Sequence, residues 1–175
     1  MEEIRRERQE DGPAVRRVLE AAFPTPTEAN LVERLRGNGK AVIALVAEDE
    51  GEVVGHIVFS PLALDPLAGA LGLGLGPLAV LPDHEKHGMG RRLVQNGLAE
   101  CRKWGAGFVS VLGEPDYYGR FGFDPASAHG LRNEFGVDEH FMVFELKKRG
   151  LPPRDTLIRY APEFAGLAKP LGGDE

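Results

Sequence analysis

The sequence predicts one mixed α/β domain, with antiparallel strands early in the chain and a strand–helix–strand unit later. Two amphipathic helical segments precede a run of apolar, β-branched segments, and the turn Asp49–Glu52 joins the first two of these. Two further apolar segments flank a long helical segment that ends near residue 104. The 175 residues are 42% hydrophobic and 27% charged, a balance typical of a protein with a packed core.

The first elements are predicted from periodicity. Residues 3–8 alternate loosely, as a strand does, and Asp11-Gly12-Pro13 has the residue types of an N-cap and first helical turn. A helix is then indicated by apolar residues at helical spacing: Val15, Val18, Leu19, Ala22 and Phe23. Pro24 ends it, and a second helix is predicted from residue 27 to about 36.

The central strands are predicted over residues 41–48, 53–59 and 71–81, with a Pro- and Gly-containing loop over 61–69. Proline is unusual inside a central strand without a bulge. We therefore expect a kink or bulge near Gly76-Pro77.

The second half continues with a helix from about 88 to 104, a strand over 107–112 and a short helix that begins at Glu114-Pro115. Strands are also predicted over 141–146 and 156–160. We divide the chain into a main domain, residues 1–150, and a C-terminal extension, residues 151–175, that packs on it. Apolar residues of this tail can pack on the same chain or form an interface, so a homodimer stays open: Leu157, Ile158 and Phe164.

Composition excludes several classes of protein. The net charge of −6 and the scattered basic residues argue against nucleic-acid binding. No apolar run approaches the roughly 20 residues of a membrane span, and the charged N-terminus is not a secretory signal. The single cysteine, Cys101, forms no internal disulfide. We expect a cytoplasmic protein without a nucleic-acid or membrane partner.

The most informative segment is residues 78–93, LAVLPDHEKHGMGRRL. A buried strand ends at a proline, and a short loop brings Gly88-x-Gly90 to the start of the long helix. Glycines there allow a ligand to approach the backbone, and the helix dipole favours an anion. Basic residues surround the same loop: Lys86, His87, Arg91 and Arg92. The pattern indicates a phosphate or pyrophosphate site, although a glycine-rich turn with solvated basic residues would have the same sequence.

Two other motifs do not fit their context. Gly74-x-Gly76-x-x-Ala79 resembles a dinucleotide-binding pattern, but Pro77 interrupts it and more strand follows. His84 and His87 lack the H-E-x-x-H spacing of zinc-binding helices, and no second Cys or third His lies nearby, so no metal site is predicted. The adjacent pair Tyr117 and Tyr118 is a better candidate for a catalytic residue. A tyrosine on a short helix after a core strand can place its hydroxyl in a cleft. At most one of the two is expected to be catalytic.

These two segments together resemble the GNAT superfamily, the Gcn5-related N-acetyltransferases. The family pattern of Q/R-x-x-G-x-G/A at a helix start is matched by Glu85-Lys86-His87-Gly88-Met89-Gly90, and its tyrosine before Gly-Phe by Tyr118-x-x-x-Gly122-Phe123. Further segments extend the resemblance over most of residues 3–146 and are similar to the YhbS-like branch: TEANLVERLR, LVAEDEGEVVGHIVFSPL, GLGPLAVLP and LGEPDYYGRFGF.

The resemblance implies a mostly antiparallel sheet with flanking helices, splayed open at a bulged fourth strand, with acetyl-CoA in the opening. Backbone groups of Leu78, Ala79 and Val80 would pair with the pantetheine arm. Backbone N–H groups from six consecutive residues would hold the pyrophosphate: Lys86, His87, Gly88, Met89, Gly90 and Arg91. Tyr118 aligns with the tyrosine that protonates the departing thiolate. The implied activity is transfer of acetyl from acetyl-CoA to a primary amine of a small molecule or peptide by direct attack.

The chain departs from the family pattern at two places. Glu85 stands where the family usually has Gln or Arg, and a carboxylate near a pyrophosphate is unfavourable. The fourth strand has no carboxylate to act as general base, so Glu114, His56 and a relayed water stay open. Both departures also allow an alternative, a non-catalytic module that binds or senses acyl-CoA. The acceptor is not identified by the sequence.

Overall fold

Residues 1–165, which the computed structural model describes, form a seven-stranded sheet, a three-stranded sheet and four α-helices. The strands are β1 Glu2–Arg6, β2 Ile43–Asp49, β3 Glu52–Pro61, β4 Ala63–Asp65, β5 Gly72–Val80, β6 Phe108–Leu112, β7 Asp124–Pro125, β8 Arg132–Asn133, β9 Phe141–Glu145 and β10 Leu157–Arg159. The helices are α1 Gly12–Ala22, α2 Thr27–Gly37, α3 Met89–Trp104 and α4 Pro115–Gly119. No helix within these residues is long and apolar enough to cross a bilayer.

The large sheet has the strand order β1-β2-β3-β5-β6-β9-β7. Its pairs are antiparallel except β5–β6, which is parallel and connected through α3. The predicted mixed α/β fold with a mostly antiparallel sheet is therefore confirmed. The strand that the resemblance counts as fourth is β5, because the short β4 precedes it.

Helices cover both faces of this sheet. α3 packs on one face through Leu93, Val94 and Leu98, in one cluster with β3 and β5 side chains. α1 and α2 pack on the other face, where Leu31 and Leu35 of α2 also contact side chains from β6, β9 and β10. Ile158 and Phe164 are buried in that contact, so these two predicted tail residues pack on the same chain. Residues 166–175 of the predicted extension lie outside the described residues.

Short elements account for most differences from the sequence predictions. β4 lies in the predicted loop 61–69 and pairs with β10, which also pairs with β8. A 3-10 turn over Pro82–His87 precedes α3. Elements of two or three residues have no periodicity, and their pairing partners lie far along the chain, so sequence pattern does not reveal them.

The pairing of β5 with β6 stops early. It runs from Gly72 opposite Phe108 to Leu75 opposite Val111, and β5 continues beyond it to Val80. The register between β3 and β5 shifts between Ile57 and Phe59, opposite the predicted kink at Gly76-Pro77. The bulge is therefore confirmed. We call the opening between β5 beyond Leu75 and β6 beyond Val111 the V.

A largely buried ionic network joins Glu7, the residue that follows β1, to α2 and β3. Glu7 accepts a hydrogen bond from Arg36 at 2.8 Å and lies 2.6 Å from Nε2 of the fully buried His56. Burial alone raises the pKa of Glu7, but hydrogen bonds from His56 and Arg36 outweigh it and lower the pKa to about 2. Asp11 differs from the N-cap prediction, because its carboxylate binds Arg5 and the Arg8 amide and makes no side-chain cap of α1.

The Glu7 network predicts a pH-dependent stability. The pKa of Glu7 is about 2 in the folded chain against an ordinary value of 4.5, so its contribution is complete above pH 4.5 and is lost as pH falls towards 2. Glu7→Gln removes the charge, and we expect a loss of about 1–3 kcal/mol at pH 7 and a flatter pH dependence over this range. Urea unfolding at several pH values measures both.

The control is Glu20→Gln, which removes an exposed carboxylate paired only with Arg16 within α1. It is expected to leave the loss of stability between pH 4.5 and 2 as it is in the wild type. A loss of stability equally steep in Glu7→Gln and in the wild type over this range would contradict the assignment.

Candidate active site

One wall of the V is the free edge of β5. Leu78, Ala79 and Val80 pair with β3 on one side, and within residues 1–165 no strand pairs with them on the β6 side. Backbone N–H and C=O groups need partners, and an unpaired strand edge offers them in a row. This edge can therefore receive an extended ligand as an additional strand.

The start of α3 lies at the end of this wall. Gly88 has φ +72°, a left-handed conformation that favours glycine, and α3 begins at the next residue. The first bond of the helix runs from the Arg92 amide to the Gly88 carbonyl at 3.1 Å. The amides of residues 89–91 have no backbone acceptor within residues 1–165. Together with the helix dipole they form an anion site.

A cleft of about 150 Å³ joins the two segments that the sequence singled out. It is lined by Glu85, Lys86, Gly88, Arg91, Tyr117 and Arg120. Three cationic side chains thus face the single carboxylate of Glu85, and the net charge of the cleft favours an anion. Met89 and Gly90 are buried beneath it, and His87 is exposed in the 3-10 turn outside the lining.

Tyr118 is the buried member of the tyrosine pair. Its side chain belongs to the same apolar cluster as Leu78 and Val80, with 2% of the residue exposed. The hydroxyl has no hydrogen-bond partner among the described residues. Burial raises the pKa of Tyr118 above its ordinary range, and the neighbouring Tyr117 and Tyr160 add to this. The phenol therefore keeps its proton at physiological pH and is available as a proton donor.

Arg120 is a residue that the sequence analysis missed. Its guanidinium carbon lies 4.6 Å from the centre of the Tyr117 ring, a cation–π contact that aims the charge into the cleft. The available signal was its spacing, because a residue three positions after Tyr117 shares its side of a helical turn.

The two protein candidates for a general base have different surroundings. His56 is fully buried and its Nε2 is engaged by Glu7, so it belongs to the structural network. The Glu114 side chain is 56% exposed at the end of β6, with Oε2 4.0 Å from His140 Nδ1. Glu28 is a further carboxylate that the sequence analysis did not single out. It is 1% exposed, one turn before Leu31 on the inward side of α2.

The histidines near the 3-10 turn form no metal centre. His84 Nε2 lies 3.3 Å from Asp49 Oδ2, which is its side-chain partner. Within residues 1–165 no three His, Cys, Asp or Glu side chains are grouped so as to hold a metal ion.

A sheet that splits beside an anion-binding helix start, with a protonated phenol buried near the split, is the site of a class of enzymes that hold an extended, phosphate-bearing ligand beside a proton donor. Comparisons identify the family within this class. Residues 3–126 match the family model described as an acetyltransferase (GNAT) domain. The chain is 36% identical over 156 residues to the uncharacterized N-acetyltransferase YhbS of Escherichia coli K12, covering 88% of this chain and 93% of YhbS.

Solved structures agree with this assignment. The crystal structure of Escherichia coli YhbS in complex with CoA has a TM-score of 0.89 and 33% identity, covering 99% of this chain and 96% of that one. A GNAT family acetyltransferase from Brucella melitensis in complex with acetyl-CoA has a TM-score of 0.79 and 33% identity, covering 94% and 98%. The chain belongs to the GNAT family of N-acetyltransferases.

Gly113 is predicted to be required for the position of Tyr118. A Cβ added at Gly113 would meet the Tyr118 ring, lying 2.7 Å from Cδ2 and closer still to Cε2. We expect Gly113→Ala to lower the free energy of unfolding by about 1–3 kcal/mol through overpacking. Gly37→Ala in α2 is the control, because nothing lies within 4 Å of the added Cβ. Denaturant unfolding of both variants is the measurement, and equal stability of the two would refute the predicted steric requirement.

Proposed function

We propose that this chain transfers acetyl from acetyl-CoA to a primary amine by direct attack, with Tyr118 as general acid. The observation that carries the proposal is the buried Tyr118 hydroxyl, which lacks a partner in residues 1–165 and lies in one cluster with the free edge of β5. A buried donor without a partner is costly unless a ligand uses it. The thiolate of CoA is such a ligand.

The rest of the cofactor fits the remaining surfaces. Backbone groups at Leu78, Ala79 and Val80 would pair with the amides of the pantetheine arm. The diphosphate would bind at the start of α3, on backbone N–H groups of residues 86–91. That two solved relatives form complexes with CoA and acetyl-CoA supports the choice of cofactor.

The proposed reaction is a direct transfer between the thioester and the amine. The amine nitrogen attacks the thioester carbonyl carbon, the C–N bond forms and the C–S bond breaks. Tyr118 donates its proton to the leaving sulfur, so that CoA leaves as the thiol. The amine gives up its own proton to water or to a carboxylate such as Glu114, and the phenol is reprotonated from solvent.

Arg120 helps to offset the unfavourable charge of Glu85 in the cleft. One carboxylate near a diphosphate is unfavourable, but Lys86, Arg91 and Arg120 line the same cleft and leave it cationic. The observation that favoured a non-catalytic module is thereby weakened. The proposed acceptor is a small-molecule or peptide amine, and the proposed compartment is the cytoplasm. Residues 1–150 would form the catalytic domain, with residues 151–175 as its extension. The homodimer stays a prediction.

The first experiment is calorimetric titration with acetyl-CoA and CoA, followed by a panel of amines with detection of the released thiol. Micromolar binding and thiol release with an amine are expected. Binding without transfer to any amine would instead favour the sensing module, and no binding at millimolar ligand would refute the proposal.

Tyr118→Phe tests the general acid. Loss of the donor is expected to lower kcat by roughly 100-fold, the lower range for general acid catalysis, while the dissociation constant of acetyl-CoA changes little. Tyr117→Phe removes the neighbouring hydroxyl and is the matched comparison. Turnover of Tyr118→Phe equal to that of the wild type would remove the assigned role.

Arg120→Gln and Glu85→Gln test the electrostatics of the cleft in opposite directions. We expect Arg120→Gln to weaken CoA binding roughly tenfold, since a hydrogen bond to a charged group contributes about 1.5 kcal/mol. Glu85→Gln is expected to strengthen it. Pantetheine lacks the phosphates, so its affinity should be the same in all variants. The control is Arg149→Gln, at an exposed position outside this cleft. If Arg120→Gln changed the affinities for CoA and pantetheine equally, the assignment would be contradicted.

A further inference from the structure

At the start of the V, two backbone carbonyls accept hydrogen bonds from one side chain, that of Tyr160. Tyr160, which directly follows β10, places its hydroxyl 3.2 Å from the Leu75 carbonyl oxygen and 3.0 Å from that of Ser110. Leu75 is the last residue of β5 that pairs with β6, and Ser110 precedes its partner Val111. One phenolic proton is therefore shared between the two strands at the level where they separate.

The tyrosine is fixed on every side. Its ring lies against Gly74, where an added Cβ would stand 2.6 Å from Cε2. Phe164 and Phe135 contact the ring edge to face, with centroids 4.8 and 5.7 Å away. The Tyr160 amide donates to Glu134 Oε1 at 2.8 Å, and 3% of the residue is exposed. These contacts favour the ring position in which the hydroxyl reaches the two carbonyls.

We call the two hydrogen bonds from the Tyr160 hydroxyl to the Leu75 and Ser110 carbonyls the bridge. The bridge can affect only the positions of the strands and takes no part in proton transfer. The hydroxyl is used by the backbone, and burial raises the pKa of Tyr160 above its ordinary range, so the phenol keeps its proton and remains a donor. The pantetheine edge continues β5 beyond Leu75, and Gly113 under Tyr118 continues β6 beyond Val111. The spacing of the strands at their last pair therefore affects how far the free edge of β5 lies from Gly113, against which the Tyr118 ring packs.

We propose that Tyr160 is a positioning residue, which holds β5 and β6 at the separation that brings the Tyr118 hydroxyl to the thioester sulfur. The inference rests on the proposed function and adds a part to it. It assigns a role in catalysis to a residue outside the matched family region, residues 3–126.

The first test needs no acceptor. Tyr160→Phe keeps the ring and removes the bridge, so amide hydrogen exchange at residues 73–80 and 110–118 is expected to rise in the CoA complex. Ser60→Ala is the matched control, because Ser60 lies opposite Gly74 on the other side of β5, is fully buried, and its hydroxyl bonds to nothing within residues 1–165. Unchanged exchange at both segments in Tyr160→Phe would overturn the proposal.

A double-mutant cycle tests the link to Tyr118. Tyr160→Phe is expected to lower kcat roughly tenfold, since small displacements of reacting groups are costly, with the acetyl-CoA dissociation constant within about twofold of the wild type. In the Tyr118→Phe background the same substitution should have almost no effect on kcat. A merely structural loss would lower kcat equally in both backgrounds and would overturn the proposal.

The two proposals fail in different ways. If the wild type does not bind acetyl-CoA, the proposed function is wrong. If Tyr118→Phe turns over like the wild type, the general-acid role of Tyr118 is wrong. If the wild type binds acetyl-CoA, Tyr118→Phe is impaired and Tyr160→Phe leaves kcat unchanged, only the positioning role is wrong.

Discussion

The hydrogen-bond ladder between β5 and β6 covers four residue pairs, and the site depends on where it stops. A longer ladder would satisfy the backbone of β5 within the sheet and leave no edge for a ligand. Stopping it leaves N–H and C=O groups unpaired beside a packed core, which is unfavourable unless other groups use them. The register shift opposite Gly76-Pro77 turns β5 away, and Tyr160 takes up the last carbonyls. What remains unpaired is a backbone edge at the V.

The candidate site combines two electrostatic environments, an exposed one in the cleft and a buried one at Tyr118. Around the start of α3 the side chains are charged and reach water, which suits a diphosphate that must enter and leave. At Tyr118 water is excluded, and the neutral phenol is stabilised against ionisation. The short helix α4 connects the two, because it carries Tyr118 in the core and is followed at once by Arg120 at the surface.

The sequence predicts those parts of the molecule that depend on neighbours in the chain. The apolar run of β5, its kink and the glycines before α3 are all local signals, and the structure has each of them. Residue types alone left Tyr117 and Tyr118 as a pair. The family resemblance selected Tyr118, and the structure shows that Tyr118 is the buried one. Glu7 with His56, and Tyr160 with Leu75, are contacts between residues 49 and 85 positions apart. No periodicity records such contacts, so the ionic network and the bridge appear only in three dimensions.

The strands of the small sheet lie in an order different from the order in which they are synthesised. β10 is its central strand, between β4 and β8, although it follows both in the chain. A ribosome therefore releases both outer strands before the strand that joins them, and the outer strands wait with unsatisfied edges. Tyr160 arrives with β10, so its hydrogen bonds to Leu75 and Ser110 cannot form until β10 has been synthesised. The nascent chain therefore contains α3 and both strands that flank the V before it contains the residue that joins them.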